Sequence, residues 1–196
     1  KRIAKKRLIK QGTMQKLLTP KDNWEVKKLG EVAEIYQSET ISQEVFTKDG
    51  FLVYGANGIV GKYKKYNHKS WQTTITCRGS TCGTVNKTTD KCWITGNAMV
   101  VNIDSNPKLQ KTFFYHLLKR QDFTNCITGS GQPQIVREPL FNFEITIPTL
   151  PEQNRIAAIL SDMDREINVL EKKLTKTKQL KQGLMQLLLT GKIRLV

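Results

Sequence analysis

The chain has no run of about 18 consecutive apolar residues, the length a membrane-crossing helix needs. Its first ten residues, Lys1–Lys10, are basic but hold no apolar signal core. Membrane insertion and secretion therefore have no support, and a first residue other than methionine fits a piece of a longer product. Cysteine and histidine are scarce. The four cysteines (Cys77, Cys82, Cys92, Cys126) contain no Cys-x-x-Cys pair, and the two histidines, His68 and His116, lie far apart. That spacing gives a zinc site no support, no metal is expected, and the thiols are expected to be free and buried. His68, beside Lys69, reads as a surface or phosphate-contacting residue.

Catalytic signatures are equally scarce. There is no Gly-x-Ser-x-Gly nucleophile elbow. No Asn-Pro-Pro-aromatic motif of amino-methyltransferases appears, because Asn106-Pro107 continues to Lys108. Glu25-Val-Lys27 matches only the end of a nuclease Glu-x-Lys motif, and Asp22 sits too close before it to be the paired carboxylate. Gly55, Gly58 and Gly61 are three apart, which is neither a dinucleotide fingerprint nor a phosphate-binding P-loop. They read as a tight turn between strands whose backbone a ligand phosphate can approach closely. No catalytic residue is assigned to the chain.

Acidic residues are missing where basic ones are most common. The 32 lysines and arginines face 17 acids, for a formal charge of +15 that points to a polyanion partner. Residues 1–19 hold seven cations and no acid, and so do residues 172–196. The middle, 20–171, is therefore nearly neutral, with one basic window inside it: Gly61–Lys91 carries seven cations against Asp90 alone.

The two terminal runs are copies of one unit. Residues 1–19 align without gaps on 172–190 with ten identities, including Lys-Gln-Gly-x-Met-Gln-x-Leu-Leu-Thr. Such a repeat means one structural element recurs on either side of a globular insert. The C-terminal copy continues a helix whose apolar positions, Ile156, Leu160, Met163, Ile167, Leu170 and Leu174, alternate steps of four and three, the seam of a coiled coil. Thr149 three residues before Glu152, with Pro151 in the first turn, forms a capping box, and Gly191 after Thr190 marks the end. A helix of about 40 residues spans roughly 60 Å and cannot bury that seam alone. Residues 1–19 can cover part of it and a partner chain the rest.

Between the helices, Phe51–Tyr54, Thr73–Cys77, Cys92–Thr95, Met99–Ile103 and Phe143–Ile147 read as strands, and Lys108–Arg120 as a helix with Leu109, Phe113 and Leu117 in step. In the basic window, Lys62, Lys64, Lys65 and Lys69 interleave with Tyr63, Tyr66, Asn67 and Trp71. Lysine neutralises phosphates, whereas Asn, Gln and Arg pair bidentately with base edges. Arg78-Gly-Ser-Thr81 directly follows a strand, and Thr128–Gln134 is a polar, glycine-rich loop with Ser130, Gln132 and Gln134.

Five segments together resemble the DNA-specificity subunits of type I restriction–modification systems. They are Trp24-Glu-x-x-Lys-Leu-Gly-Glu-Val32, Tyr54-Gly-Ala-Asn-Gly-Ile-Val-Gly61, Thr76-Cys-Arg-Gly-Ser-Thr-Cys-Gly83, Gly129-Ser-Gly-Gln-Pro-Gln134 and Ile147-Pro-Thr-Leu-Pro-Glu-Gln-Asn-Arg-Ile-Ala157. The last, at the entry to the family's spacer helix, is the most specific. The resemblance implies an α+β fold: a tail of a spacer helix (1–19), a mixed target-recognition domain (20–148), a long coiled-coil spacer helix (149–191) and a short tail (192–196). It implies double-stranded DNA as a partner. It also implies modification subunits that methylate adenine with S-adenosylmethionine and restriction/translocase subunits that use ATP, in a prokaryotic cytoplasm. The chain itself would hold no cofactor. Such subunits carry two recognition domains on two antiparallel helices; this chain has one, so it resembles half a subunit, and Leu174–Thr190 would self-associate or fray. On this reading Asn57, Arg78, Ser80, Thr81, Gln132 and Gln134 belong to base recognition, Lys62, Lys64, Lys65, Lys69 and Lys87 to phosphate contact, and Ser130 to the DNA-binding surface with neither role assigned. The alternative is a basic coiled-coil interaction protein that binds nucleic acid without sequence preference.

Overall fold

Thr73–Thr76 buries all four of its side chains, which places it at the centre of a sheet rather than at an edge. From the N-terminus, α1 (Arg2–Leu17) leads to β1 (Glu25–Lys28), the single turn α2 (Leu29–Val32) and β2 (Glu34–Gln37). Next come β3 (Phe51–Gly55), β4 (Gly58–Tyr63), β5 (Thr73–Thr76), β6 (Val85–Lys87), β7 (Trp93–Ile94) and β8 (Ala98–Asn102). Helix α3 (Lys111–Arg120) precedes β9 (Ile127–Thr128) and β10 (Gln134–Ile135); α4 (Arg137–Phe141) and β11 (Glu144–Ile147) lead into α5 (Leu150–Leu189). This computed structural model describes residues 1–129 and 131–190.

The chain divides into two units, Leu18–Asn154 and a helical unit of Lys1–Leu17 with Arg155–Val196. In the first, β2-β8-β5-β6 form an antiparallel sheet, and β4-β3-β7 a mixed one in which β3 and β7 run parallel. Tyr54 of β3, Cys92 and Ile94 at β7, and Ala98 and Val100 of β8 pack into one core. Helix α3 buries Phe113, Phe114, Leu117 and Leu118, and Trp24 packs edge-on against Phe113 with ring centroids 6.2 Å apart. The mixed α/β fold with a long C-terminal helix is as the sequence implied.

Two boundaries differ from expectation for identifiable reasons. Helix α3 starts at Lys111, not Lys108. The Asn106 side chain takes the Lys108 N–H (3.0 Å) in a turn, and the Gln110 side chain caps the helix by accepting from Phe113 N (2.6 Å). Leu18 is buried within the globular unit, and the Arg120 guanidinium donates to its carbonyl, so α1 stops at Leu17.

In the helical unit α1 runs antiparallel to α5. Lys6 reaches Glu166 (2.8 Å), Lys10 pairs with Asp164, and Arg7 with Glu171. Ile156, Leu160 and Ile167 are buried and Met163 and Leu170 half-buried, but Leu174 is 45% exposed. Leu174 therefore takes no part in the intrachain seam. The reason is length: the 16 residues of α1 span about 24 Å at 1.5 Å per residue, so its ion pairs reach only to Glu171. Beyond it Leu180, Leu184 and Met185 are exposed too. The 192–196 tail lies outside the described residues, as does Gly191, the expected helix end.

Candidate nucleic-acid interface

Three loops meet where β5 ends. The chain leaves Thr76 for Cys77 and Arg78, and the segment locks onto the β9–β10 hairpin. Ile135 N–H donates to the Cys77 carbonyl (3.0 Å), Gly79 N–H donates to the Pro133 carbonyl (3.1 Å), and Arg78 forms a bridge with Gln134. Gly79 has φ +85°, a left-handed turn that glycine adopts without strain. The third loop is the two-residue turn Ala56-Asn57 between β3 and β4, closed by Gly58 at φ +117°. Thr76 Oγ1 donates to the Ala56 carbonyl, and Asn86 Nδ2 donates to Asn57 Oδ1 (3.4 Å), which ties the turn to the same end of β5.

The structure thus brings Asn57, Arg78, Ser80, Thr81, Gln132 and Gln134 to one end of the sheet from three separate segments. Asn57, Arg78, Ser80, Gln132 and Gln134 are exposed and Thr81 half-buried. Ser130, assigned to the same loop, lies outside the described residues. Burial pushes the Cys77 and Cys82 thiols at this site up, so both stay protonated at neutral pH and neither is an activated nucleophile.

The lysines do not form one patch with these residues. Lys62 stands on β4 opposite Leu52, and Lys64 and Lys65 follow in the next loop. Lys69 is joined to Lys91 through the Lys91 N–H and the Lys69 carbonyl (3.0 Å). Lys87 is on β6 opposite Thr73, at the far end of β5 from Arg78. Its ammonium lies 4.0 Å from the centre of the Trp71 ring, and Lys111 lies 4.9 Å from the same ring. Trp71 meets Tyr115 edge-on (6.5 Å), and Lys119 lies over Tyr115 (5.5 Å). The charged window in the sequence is therefore split by β5 into two ends, one polar and one basic–aromatic. Sequence reading missed the part on α3, although Lys111, Tyr115 and Lys119 are spaced by four, which puts them on one helix face.

His68 is a correction. It is buried, not a surface or phosphate-contacting group. Its Nε2 meets the Tyr36 hydroxyl (3.0 Å) and its Nδ1 meets Asn67 Oδ1 (2.6 Å). The imidazole stacks on the Tyr36 ring at 6.0 Å and 8°. The neighbouring Lys69 had suggested exposure, but an isolated bridge between His68 and Cys92 turns the imidazole inward.

Comparison with known proteins agrees with this architecture. Residues 21–182 match the type I restriction modification DNA specificity domain. The EcoprrI type I restriction enzyme specificity subunit of Escherichia coli is 27% identical over 147 residues, which cover 72% of this chain and 36% of that protein. The MjaVIII specificity subunit of Methanocaldococcus jannaschii is 25% identical over 88% of this chain and 47% of its own length. The chain thus spans about half or less of the curated relatives it matches. Among solved structures, the S subunit of the M. genitalium type I restriction-modification system superposes with a TM-score of 0.75 at 21% identity, covering 87% of this chain and 47% of that one. The HsdS subunit from Thermoanaerobacter tengcongensis gives 0.59 at 16% identity, over 94% and 51%. These likenesses concern the fold, while the sequence match runs from the strand that opens the globular unit well into the long helix: the chain belongs to the type I restriction modification DNA specificity domain family.

Proposed function

We propose that the chain is one half of a sequence-specific, non-catalytic DNA-binding subunit that directs type I modification and restriction subunits to a duplex target. The observation that carries this reading is the convergence of three polar loops at one end of β5. In a major groove, the Arg78 guanidinium fork suits guanine, and the amides of Asn57, Gln132 and Gln134 suit adenine. Ser80 and Thr81 are short donors and acceptors beside them. Lys62, Lys64, Lys65, Lys69 and Lys87 contribute through phosphates, which positions the domain without reading sequence. Methylation with S-adenosylmethionine and ATP-driven restriction would reside on the partner subunits, docked along the helices.

The repeat suggests how the rest of the helix is used. Residues 172–190 repeat 1–19, so Lys178 and Lys181 stand where Arg7 and Lys10 stand in α1. We infer that this stretch packs against the start of another spacer helix, either the other half of a longer subunit or a second copy. Lys178 and Lys181 would then face acids there.

Binding-site selection from random duplexes tests the reading. Arg78→Ala is expected to relax preference at one base position, a loss of about 1–3 kcal/mol there, whereas Lys64→Ala weakens all duplexes alike and reduces the salt dependence by about one ion. An unchanged preference in both variants at matched salt would remove the residue assignment. Equal competition by random DNA against the unaltered chain would favour a generic basic surface.

A further inference from the structure

The tip of the β3–β4 hairpin carries two aliphatic side chains that nothing above explains. Ile59 is 59% exposed and its neighbour Val60 48% exposed. The strand register pairs Val53 with Gly61 but Tyr54 with Ile59, which makes Val60 the extra residue of a β-bulge. A side chain at Gly55 would place its Cβ 2.7 Å from Val60 Cγ1, so Val60 folds back across the turn and glycine is needed beneath it. The turn is held at both of its residues, Ala56 by Thr76 and Asn57 by Asn86. Among the described residues β4 pairs with no strand but β3, and the Thr47 N–H takes the Lys62 carbonyl (2.9 Å) further along it, away from the tip. The hairpin, with β7 alongside β3, is therefore an anchored corner of the β4-β3-β7 sheet with an apolar tip, next to Asn57 and at the same end of β5 as Arg78 and Gln134.

The apolar feature on the floor of a major groove is the thymine C5-methyl group. The other surfaces of the loop cluster are amides, hydroxyls and a guanidinium, whose natural counterparts are the polar base edges. The aliphatic pair is the part of the cluster left to read a methyl. We propose that Ile59 and Val60 contact thymine methyl groups in the major groove and so require thymine beside the base met by Asn57. This inference rests on the DNA-recognition reading above.

The test uses the duplex chosen by site selection, with each thymine replaced in turn by uracil, which deletes the methyl and nothing else. The unaltered chain should bind about four-fold more weakly when one or two particular thymines are replaced, the equivalent of one buried methyl group. Ile59→Thr and Val60→Ala should each bind the thymine and uracil duplexes more nearly alike. Selection that succeeds while every uracil replacement is neutral overturns the inference and leaves the recognition reading standing. So does a uracil effect that persists undiminished in both variants. If no preferred duplex emerges, the recognition reading fails and this inference with it. The uracil series needs no variant, so a variant that folds poorly does not blunt the result.

Discussion

At the residue scale, the His68 cluster is where the sequence misled most. The Asn67 amide fixes the imidazole. Its oxygen accepts the Ile94 N–H (2.9 Å) and its nitrogen donates to the Ile94 carbonyl (3.0 Å), so that oxygen can only accept from His68 Nδ1–H. Nε2 is left to accept from the Tyr36 hydroxyl, and the ring is neutral. Burial lowers its pKa below the ordinary histidine value; nearby Asp104 opposes this and Lys111 adds to it. The unfolded chain takes up this proton near pH 6.5, while the folded chain takes it up only at lower pH. Stability should therefore be full above about pH 6.5, fall as the pH drops towards the lowered folded value, and level off below it. Asp104 acts in a separate, more acidic window. Burial alone would raise its carboxyl, but hydrogen bonds from Lys111, Ser70 and Gln72 outweigh that and hold it below the usual range. Thermal melts between about pH 5 and pH 7.5 should show the histidine-linked slope, and His68→Phe should flatten it. Tyr36→Phe should cost about 1 kcal/mol or more near neutral pH, because it orphans a buried acceptor. None of this was legible from His68 and Lys69 as neighbours; the network joins β2, the loop between β4 and β5, and β7, residues distant in sequence.

At the element scale, legibility followed whether a segment's reason for its shape is local. The α3 face from Phe113 onward, the α5 seam as far as Leu170 and the Ala56-Asn57 turn each carry their periodicity or glycine within one window and appear in the structure, whereas Leu109 falls before α3 and Leu174 outside the seam. Strand β1 does not: Glu25–Lys28 are all exposed, with no alternation, and the strand exists because β11 pairs with it. The β9–β10 hairpin has two residues per strand and is held by the backbone after β5, so no local pattern announces it. The entry to α5 shows the opposite case, a motif noticed by resemblance whose physics the structure supplies. Gln153, in the Pro-Glu-Gln segment, is buried. It donates to the Pro148 (2.9 Å) and Lys108 (3.2 Å) carbonyls and accepts the Gln110 N–H (2.9 Å). One side chain thus satisfies three backbone groups from two segments and seats the first turn of the helix. Gln153→Ala should lower stability by roughly 3 kcal/mol in urea unfolding, since buried polar groups lose their partner. Gln153→Glu should be no better, because a carboxylate cannot donate to the two carbonyls.

At the scale of the whole molecule, net charge and length have to be read together. Nearly all of the +15 lies in the two repeated tails, yet they do different things. In α1, Lys6, Arg7 and Lys10 meet Glu166, Glu171 and Asp164 on α5, so part of that charge is used inside the chain. These pairs are partly exposed and contribute about 0–1 kcal/mol each; their value lies in setting an antiparallel register. The second tail repeats the first but begins beyond the reach of α1, and Leu174, Leu180, Leu184 and Met185 are left 45–59% exposed. A single helix with an open apolar stripe is poorly stable in water unless another helix covers it. The isolated chain should therefore self-associate, with a mass by light scattering that rises above 22.4 kDa as concentration increases. A chain ending at Glu171 keeps the ion pairs and the globular unit, so it should remain monomeric with an unchanged melting temperature and the same sequence preference on DNA. Leu180→Lys with Leu184→Lys in the full chain should behave as the truncation does. A full chain that stays monomeric at high concentration would mean that the second tail does not pair as the first one does, and the helix would then have to find its partner in a different subunit.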